Sequence, residues 1–307
     1  MADRSVAGVF PGQGSQQIGM GRVFAEQNDS AKEVFEQADQ ALGLSISELC
    51  FEGPLEKLTL TEFSQPAILS ASYACFMASG ITLSSAAGHS LGEYTALVAA
   101  GVIPFQEAVQ LVHKRGKYMQ EAVPLGEGKM LAVMGPSEEE LSEVISGLSG
   151  VCEIANLNCP GQTVVAGSAS GVDEFSAAMA DKGAKLIPLN VSAPFHCSLM
   201  QPAADKLAKD LDAVEFAEPS IPVYANFSAK AVSSGAEARE LLKKQVCGTV
   251  RWTDSVLNLV AEQKVAGVVE FGPGGVLSKL IRRITRDVNR HEVHEPESLE
   301  KTKQALS

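Results

Sequence analysis

Apolar and polar positions follow one another along this chain in two rhythms. Short, nearly continuous apolar runs at 6–10, 81–87, 129–134, 151–156, 162–167, 185–189, 221–225 and 265–271 read as strands. Between them, apolar residues recur every three or four positions, which predicts helices at 18–26, 67–78, 93–100, 104–121, 172–182, 237–245, 253–263 and 276–286. Another helix opens at 136–140, where Ser137 and Glu140 have capping-box spacing, and one more starts near Leu199. Strands that are apolar throughout and alternate with helices predict a mainly parallel sheet covered on both faces, an α/β fold. The segment 126–194 breaks the alternation, and its order β-α-β-β-α-β is that of an inserted ferredoxin-like unit. The expected organisation is a large subdomain from 1–125 and 195–288, a small ferredoxin-like subdomain at 126–194, and a loose polar tail at 289–307.

The run at 81–87 leads into Gly88-His89-Ser90-Leu91-Gly92, and a helix follows at once. Strand, tight turn and helix form the context in which Gly-x-Ser-x-Gly makes a nucleophile elbow. The turn exposes the Ser90 hydroxyl and leaves the Leu91 amide at a helix N-terminus, where it faces a developing oxyanion. A chance glycine-containing turn is the plainer alternative, and the flanking elements argue against it.

Helix 104–121 carries an apolar face of Phe105, Ala108, Val109, Val112 and Met119, and Arg115 falls on that same face. An unpaired buried charge costs several kcal/mol, so this arginine needs a partner. A structural ion pair or a snorkelling side chain satisfies that need. So does a ligand carboxylate, which a planar guanidinium grips at two points.

Two further stretches bear on chemistry. Pro11-Gly12-Gln13-Gly14-Ser15-Gln16 lies between strand and helix but lacks the third glycine of a dinucleotide loop and any Walker lysine. Such a loop brings either a backbone amide or the Gln13 side chain near a reacting centre. His196 follows a strand and precedes a helix, and serine before histidine is the α/β-hydrolase order. A core or surface histidine fits that position equally well. Cys197, next to His196, raises a Cys–His nucleophile as an option.

Composition narrows the classes. With 25 basic and 37 acidic residues the net charge is −12, which argues against nucleic acid as a general partner. No apolar run reaches the roughly 18 residues of a membrane span, residues 1–4 lack a signal-peptide pattern, and a cytoplasmic protein is expected. The six cysteines form no C-x-x-C pair and read as reduced thiols. No metal-ligand spacing occurs, His291-Glu292-Val293-His294 included.

Six motifs then stand in order: Phe10 to Gln16, Gly88 to Tyr94, Arg115-Gly116-Lys117-Tyr118-Met119, Asn158-Cys159-Pro160-Gly161-Gln162, Pro194-Phe195-His196-Cys197 and Glu270-Phe271-Gly272-Pro273-Gly274. From about residue 5 to residue 286 the chain resembles the malonyl-CoA:acyl carrier protein transacylase family of fatty acid synthesis. The resemblance implies an α/β-hydrolase-like core with a ferredoxin-like insertion. It makes Ser90 the nucleophile, His196 the general base and later acid, and the amides of Leu91 and Gln13 the oxyanion hole. Arg115 would hold the free malonyl carboxylate, with Met119, Phe195 and Asn158 also at the substrate. In place of a triad acid, a backbone carbonyl would orient the histidine, here that of Arg251. The implied reaction is ping-pong transfer of malonyl from malonyl-CoA to the phosphopantetheine thiol of acyl carrier protein, by a monomer without cofactor or metal. Lys114, Lys117, Arg282, Arg283 and Arg286 are candidates for docking that acidic partner. A serine thioesterase, an acyltransferase of polyketide type or of malonate metabolism, and a non-catalytic carrier-protein scaffold are the competing classes.

Overall fold

A computed structural model describes residues 5–180, 182–191 and 193–307. The reading of residues 1–4 as free of a leader, like Ser192 and Asp181 of the predicted loop and helix, lies outside the described residues. The central sheet has the order β7-β2-β1-β8-β9, formed by Val223–Tyr224, Ser85–Gly88, Val6–Phe10, Gly267–Phe271 and Asn289–Val293. Every pairing in it is parallel. All residues of β1, β2 and β8 are buried, as their continuous apolar runs require in a sheet with helices on both faces. Phe10 stacks on Phe271 across β1 and β8, with ring centroids 5.7 Å apart.

The second sheet is antiparallel, with the order β4-β5-β3-β6 from Cys152–Cys159, Gln162–Ser168, Gly128–Met134 and Lys185–Pro188. Helices Glu138–Ser146 and Ala169–Ala180 complete the ferredoxin-like order predicted for this stretch. The Ser137–Glu140 capping box is formed in both directions.

Three expectations change. The strand before the elbow is Ser85–Gly88 rather than 81–87, with the Ser84 amide already bonded to Val6 O. The helix predicted from 67 begins at Thr61 and carries Pro66 inside it. Proline lacks an N–H, which leaves the Glu62 carbonyl free, and His113 Nδ1 lies 3.0 Å from that oxygen. The tail is not loose. Asn289–Val293 adds to the sheet edge beside β8, and helix Pro296–Leu306 packs behind it. An edge strand needs few apolar side chains, and here Val293 and Leu299 are the buried ones, so a polar sequence concealed both elements.

Candidate active site

The elbow is a backbone construction. β2 ends at Gly88, Ser90 takes a left-handed φ of 51°, and helix Gly92–Ala99 begins two residues later. A methyl group on Gly88 would lie 1.9 Å from the Gly92 carbonyl, and one on Gly92 would lie 2.0 Å from Phe10 O. Gly92→Ala is expected to lose about 3 kcal/mol of stability or more, read as a depressed melting temperature, because the clash is with backbone and no side chain can yield. Asn226, two residues past the end of β7, locks the turn: its Oδ1 accepts the Ser90 amide at 2.6 Å and its Nδ2 donates to Gly88 O at 2.7 Å.

Ser90 Oγ lies 2.7 Å from His196 Nε2, although 106 positions separate the two residues. His196 also has a left-handed φ, 60°, a conformation that non-glycine residues adopt mainly where surrounding structure holds them. Its Nδ1 faces the backbone carbonyl of Gln245 at 2.8 Å, which fixes the proton on Nδ1 and the lone pair on Nε2. This corrects the expectation for Arg251. The Arg251 carbonyl is already taken by the amide and hydroxyl of Ser255 in the first turn of helix Trp252–Gln263. Gln245 ends helix Gly235–Gln245, where a carbonyl lacks an intrahelical partner and is free to accept. Burial, and then the Arg115 charge, push the His196 imidazole down to about 3. It is therefore neutral near pH 7 and able to take a proton.

Arg115 is 1% exposed and has no carboxylate within ion-pairing distance among the described residues. Nη1 donates to Gln65 Oε1 at 2.8 Å, and Nη2 donates to Gln245 Oε1 at 3.0 Å and Ser90 Oγ at 3.1 Å. Nε has no partner, and the Tyr94 ring lies 5.6 Å from the guanidinium carbon. Neither a structural ion pair nor a snorkelling side chain describes this residue. A buried cation ringed by neutral amides keeps its charge uncompensated by any direct ion pair, and an anion entering the site could pair with it.

These groups open on a cavity of about 600 Å³. Gln13, Leu91, Met119 and Phe195 line it, together with Met130, Asn156 and Leu189 from the small antiparallel unit. The backbone amides of Leu91 and Gln13 donate to nothing among the described residues. Gly12 packs against the elbow, where an added Cβ would sit 2.4 Å from His89 O, and this contact brings Gln13 to the cavity. Asn158 is not among the lining residues; its Oδ1 pairs with His89 Nε2 at 2.8 Å. Asn156, two residues back along β4, takes the place at the cavity wall that was expected of Asn158. Cys197 is fully buried, donates to Pro194 O, and has its thiol pushed up to about 12, which removes it as a nucleophile.

Sequence reasoning missed Gln65, Asn226 and Gln245. Their pairings with Ser90, Arg115 and His196 run across 49 to 155 positions, and no local spacing marks them. For Gln65 the one signal was its place just before the apolar helix stretch that faces Arg115.

Residues 8–301 match a family model described as an acyl transferase domain. Malonyl CoA-acyl carrier protein transacylase of Bacillus subtilis is 46% identical, covering 98% of this chain and 97% of that protein. The Escherichia coli K12 protein of the same name is 42% identical over 95% and 96%. Among solved structures, malonyl CoA-acyl carrier protein transacylase from Clostridium perfringens superposes with a TM-score of 0.95 at 38% identity, covering 98% and 97%. A malonyl-transacylase solved in complex with a type II PKS acyl-carrier protein gives 0.94 at 40% identity, covering 98% and 99%.

Proposed function

The chain belongs to the acyl transferase family, among the malonyl-CoA:acyl carrier protein transacylases, and from that premise we propose that it transfers malonyl from malonyl-CoA to acyl carrier protein through a malonyl-serine. One observation carries the reading: a buried guanidinium without a carboxylate, 3.1 Å from the Ser90 hydroxyl. That distance suits a short acyl group whose far end is itself a carboxylate.

In the proposed reaction His196 Nε2 takes the Ser90 proton as Oγ forms a bond to the thioester carbonyl carbon. The oxyanion is held by the amides of Leu91 and Gln13, aligned by the turn and by the start of helix Gly92–Ala99. Collapse breaks the carbon–sulfur bond, and His196 returns the proton to the departing CoA thiolate. The pantetheine thiol of the carrier protein then gives its proton to His196 and attacks the ester carbon, and as the carbon–oxygen bond breaks His196 returns that proton to Ser90 Oγ. Arg115 grips the malonyl carboxylate in both halves. Met119 and Phe195, both buried at the cavity wall, limit the size of the acyl group.

Intact mass after mixing with malonyl-CoA tests the intermediate, followed by addition of carrier protein. A malonyl-sized gain that carrier protein discharges as malonyl-carrier supports transfer. Discharge by water at the same rate means a thioesterase.

Carrier-protein docking is proposed at a local basic cleft. Arg282, Arg283 and Arg286 line a depression of about 750 Å³ together with Arg290, and Arg283 reaches across to Gln162 and Pro160 of the β4–β5 turn. Lys114 is less available, since Asp210 pairs with it. Arg282→Glu with Arg286→Glu is expected to raise KM for carrier protein roughly tenfold, most at low salt, and to leave Ser90 acylation by malonyl-CoA unchanged. Loss of acylation in stopped-flow measurements would overturn the docking assignment.

A further inference from the structure

Several buried ionisable groups stand outside this mechanism, Glu270 and Glu93 among them. Glu93 follows the second glycine of the elbow and is 1% exposed. Its Oε2 accepts the Asn226 amide at 2.8 Å and Gln245 Nε2 at 2.8 Å. Both partners hold the reacting groups. Asn226 fixes the backbone on either side of His89, through the Ser90 amide and the Gly88 carbonyl. Gln245 receives His196 Nδ1 on its backbone carbonyl and Arg115 Nη2 on its side-chain carbonyl, while its Nε2 also donates to Ser90 O at 3.0 Å. One carboxylate oxygen thus anchors both residues that set the Ser90, His196 and Arg115 geometry.

The side-chain amide of Gln245 sits between two buried opposite charges, its N–H on Glu93 and its C=O on Arg115. An amide placed that way is polarised from both ends, which strengthens both bonds. A buried carboxylate costs several kcal/mol, and an apolar residue would fill the same core position at lower cost.

We propose that ionised Glu93 is the positioning residue that stands in for the missing triad acid, holding Gln245 so that one residue aims both His196 and Arg115. The proposal rests on the Ser90–His196 reading above. Glu93 does not touch substrate and acts through Gln245. Facing it are Arg115 from helix Phe105–Glu121, neighbouring Tyr94, and His196 beyond Gln245. Burial raises the Glu93 carboxyl to about 7, against the opposing pull of the Asn226 and Gln245 hydrogen bonds and the Arg115 charge. Protonation weakens an acceptor of two N–H groups, so activity falls as pH drops through that range. His196, pushed down to about 3, is already neutral there and does not produce that fall.

Single-turnover acylation of Ser90 by malonyl-CoA, followed against pH with melting temperature recorded in parallel, separates the roles. Glu93→Gln keeps an oxygen for both donors but has no proton to gain. It is expected to acylate roughly tenfold more slowly at pH 8 and to lose the wild-type fall near pH 7. Glu93→Leu is expected to drop acylation at least a hundredfold while remaining folded. The same fall at the same midpoint in Glu93→Gln, or wild-type rates in Glu93→Leu, would overturn the inference; if the leucine variant does not fold, the glutamine profile decides. Absence of any malonyl adduct in the wild-type protein overturns the acyl-serine reading and the inference with it. An adduct with an unchanged profile in Glu93→Gln overturns the inference alone.

Discussion

Ser90→Ala is expected to abolish the proposed malonyl adduct and to lower transfer to carrier protein by at least about 10⁴-fold, the scale on which removal of a nucleophile acts when its base and oxyanion donors stay in place. The substitution removes one oxygen, which contacts His196 Nε2 and Arg115 Nη2 and nothing structural. The turn itself is held through the Ser90 amide and carbonyl, by Asn226 and Gln245, so melting temperature should hardly move. Intact mass after incubation with malonyl-CoA reads the result directly. A surviving adduct would mean a different nucleophile, and Cys197, buried and firmly protonated, is not available to be one.

Arg115→Ala is expected to collapse the proposed preference for malonyl over acetyl. A charge-assisted hydrogen bond contributes about 1.5–3 kcal/mol, so losing a two-point grip lowers kcat/KM for malonyl-CoA roughly a hundredfold or more. Acetyl-CoA brings no carboxylate and should lose far less, and it gains from removal of a buried positive charge beside the neutral imidazole of His196. Arg115→Lys should restore only part of the malonyl rate, because an ammonium is a point charge without the planar fork. The discriminating quantity is the ratio of the two kcat/KM values. Equal losses for both acyl groups would make Arg115 a structural residue and would remove the argument for a carboxylate-bearing substrate.

The parts of this site that lie close in sequence were legible before the fold was known. Gly88 to Gly92 and the strand and helix around them fix the elbow locally, and helical spacing alone put Arg115 on an apolar face. What sequence could not supply is the choice among equivalent backbone groups. Arg251 and Gln245 both have carbonyls near the right part of the chain, and only the hydrogen-bond accounting separates them: Ser255 occupies one, and a helix end frees the other. Asn158 and Asn156 lie two residues apart on one strand, yet one faces His89 and the other the cavity. The polar tail misled for a different reason, since an edge strand and its covering helix need little apolar sequence to be stable in place.

In the proposed mechanism much of the apparatus is main chain: two amides for the oxyanion and one carbonyl for the histidine. Point mutation deletes side chains and cannot delete a peptide group. Selection on the reaction itself therefore falls on few positions directly, and on the rest only through glycines and asparagines that shape the turn. A lineage of such enzymes could exchange the side chains at Leu91 or Gln13 and retain its chemistry, yet lose it to a single methyl group at Gly88. Scans that rank residues by the cost of alanine will rate the scaffold of this site above several of the groups that touch the substrate.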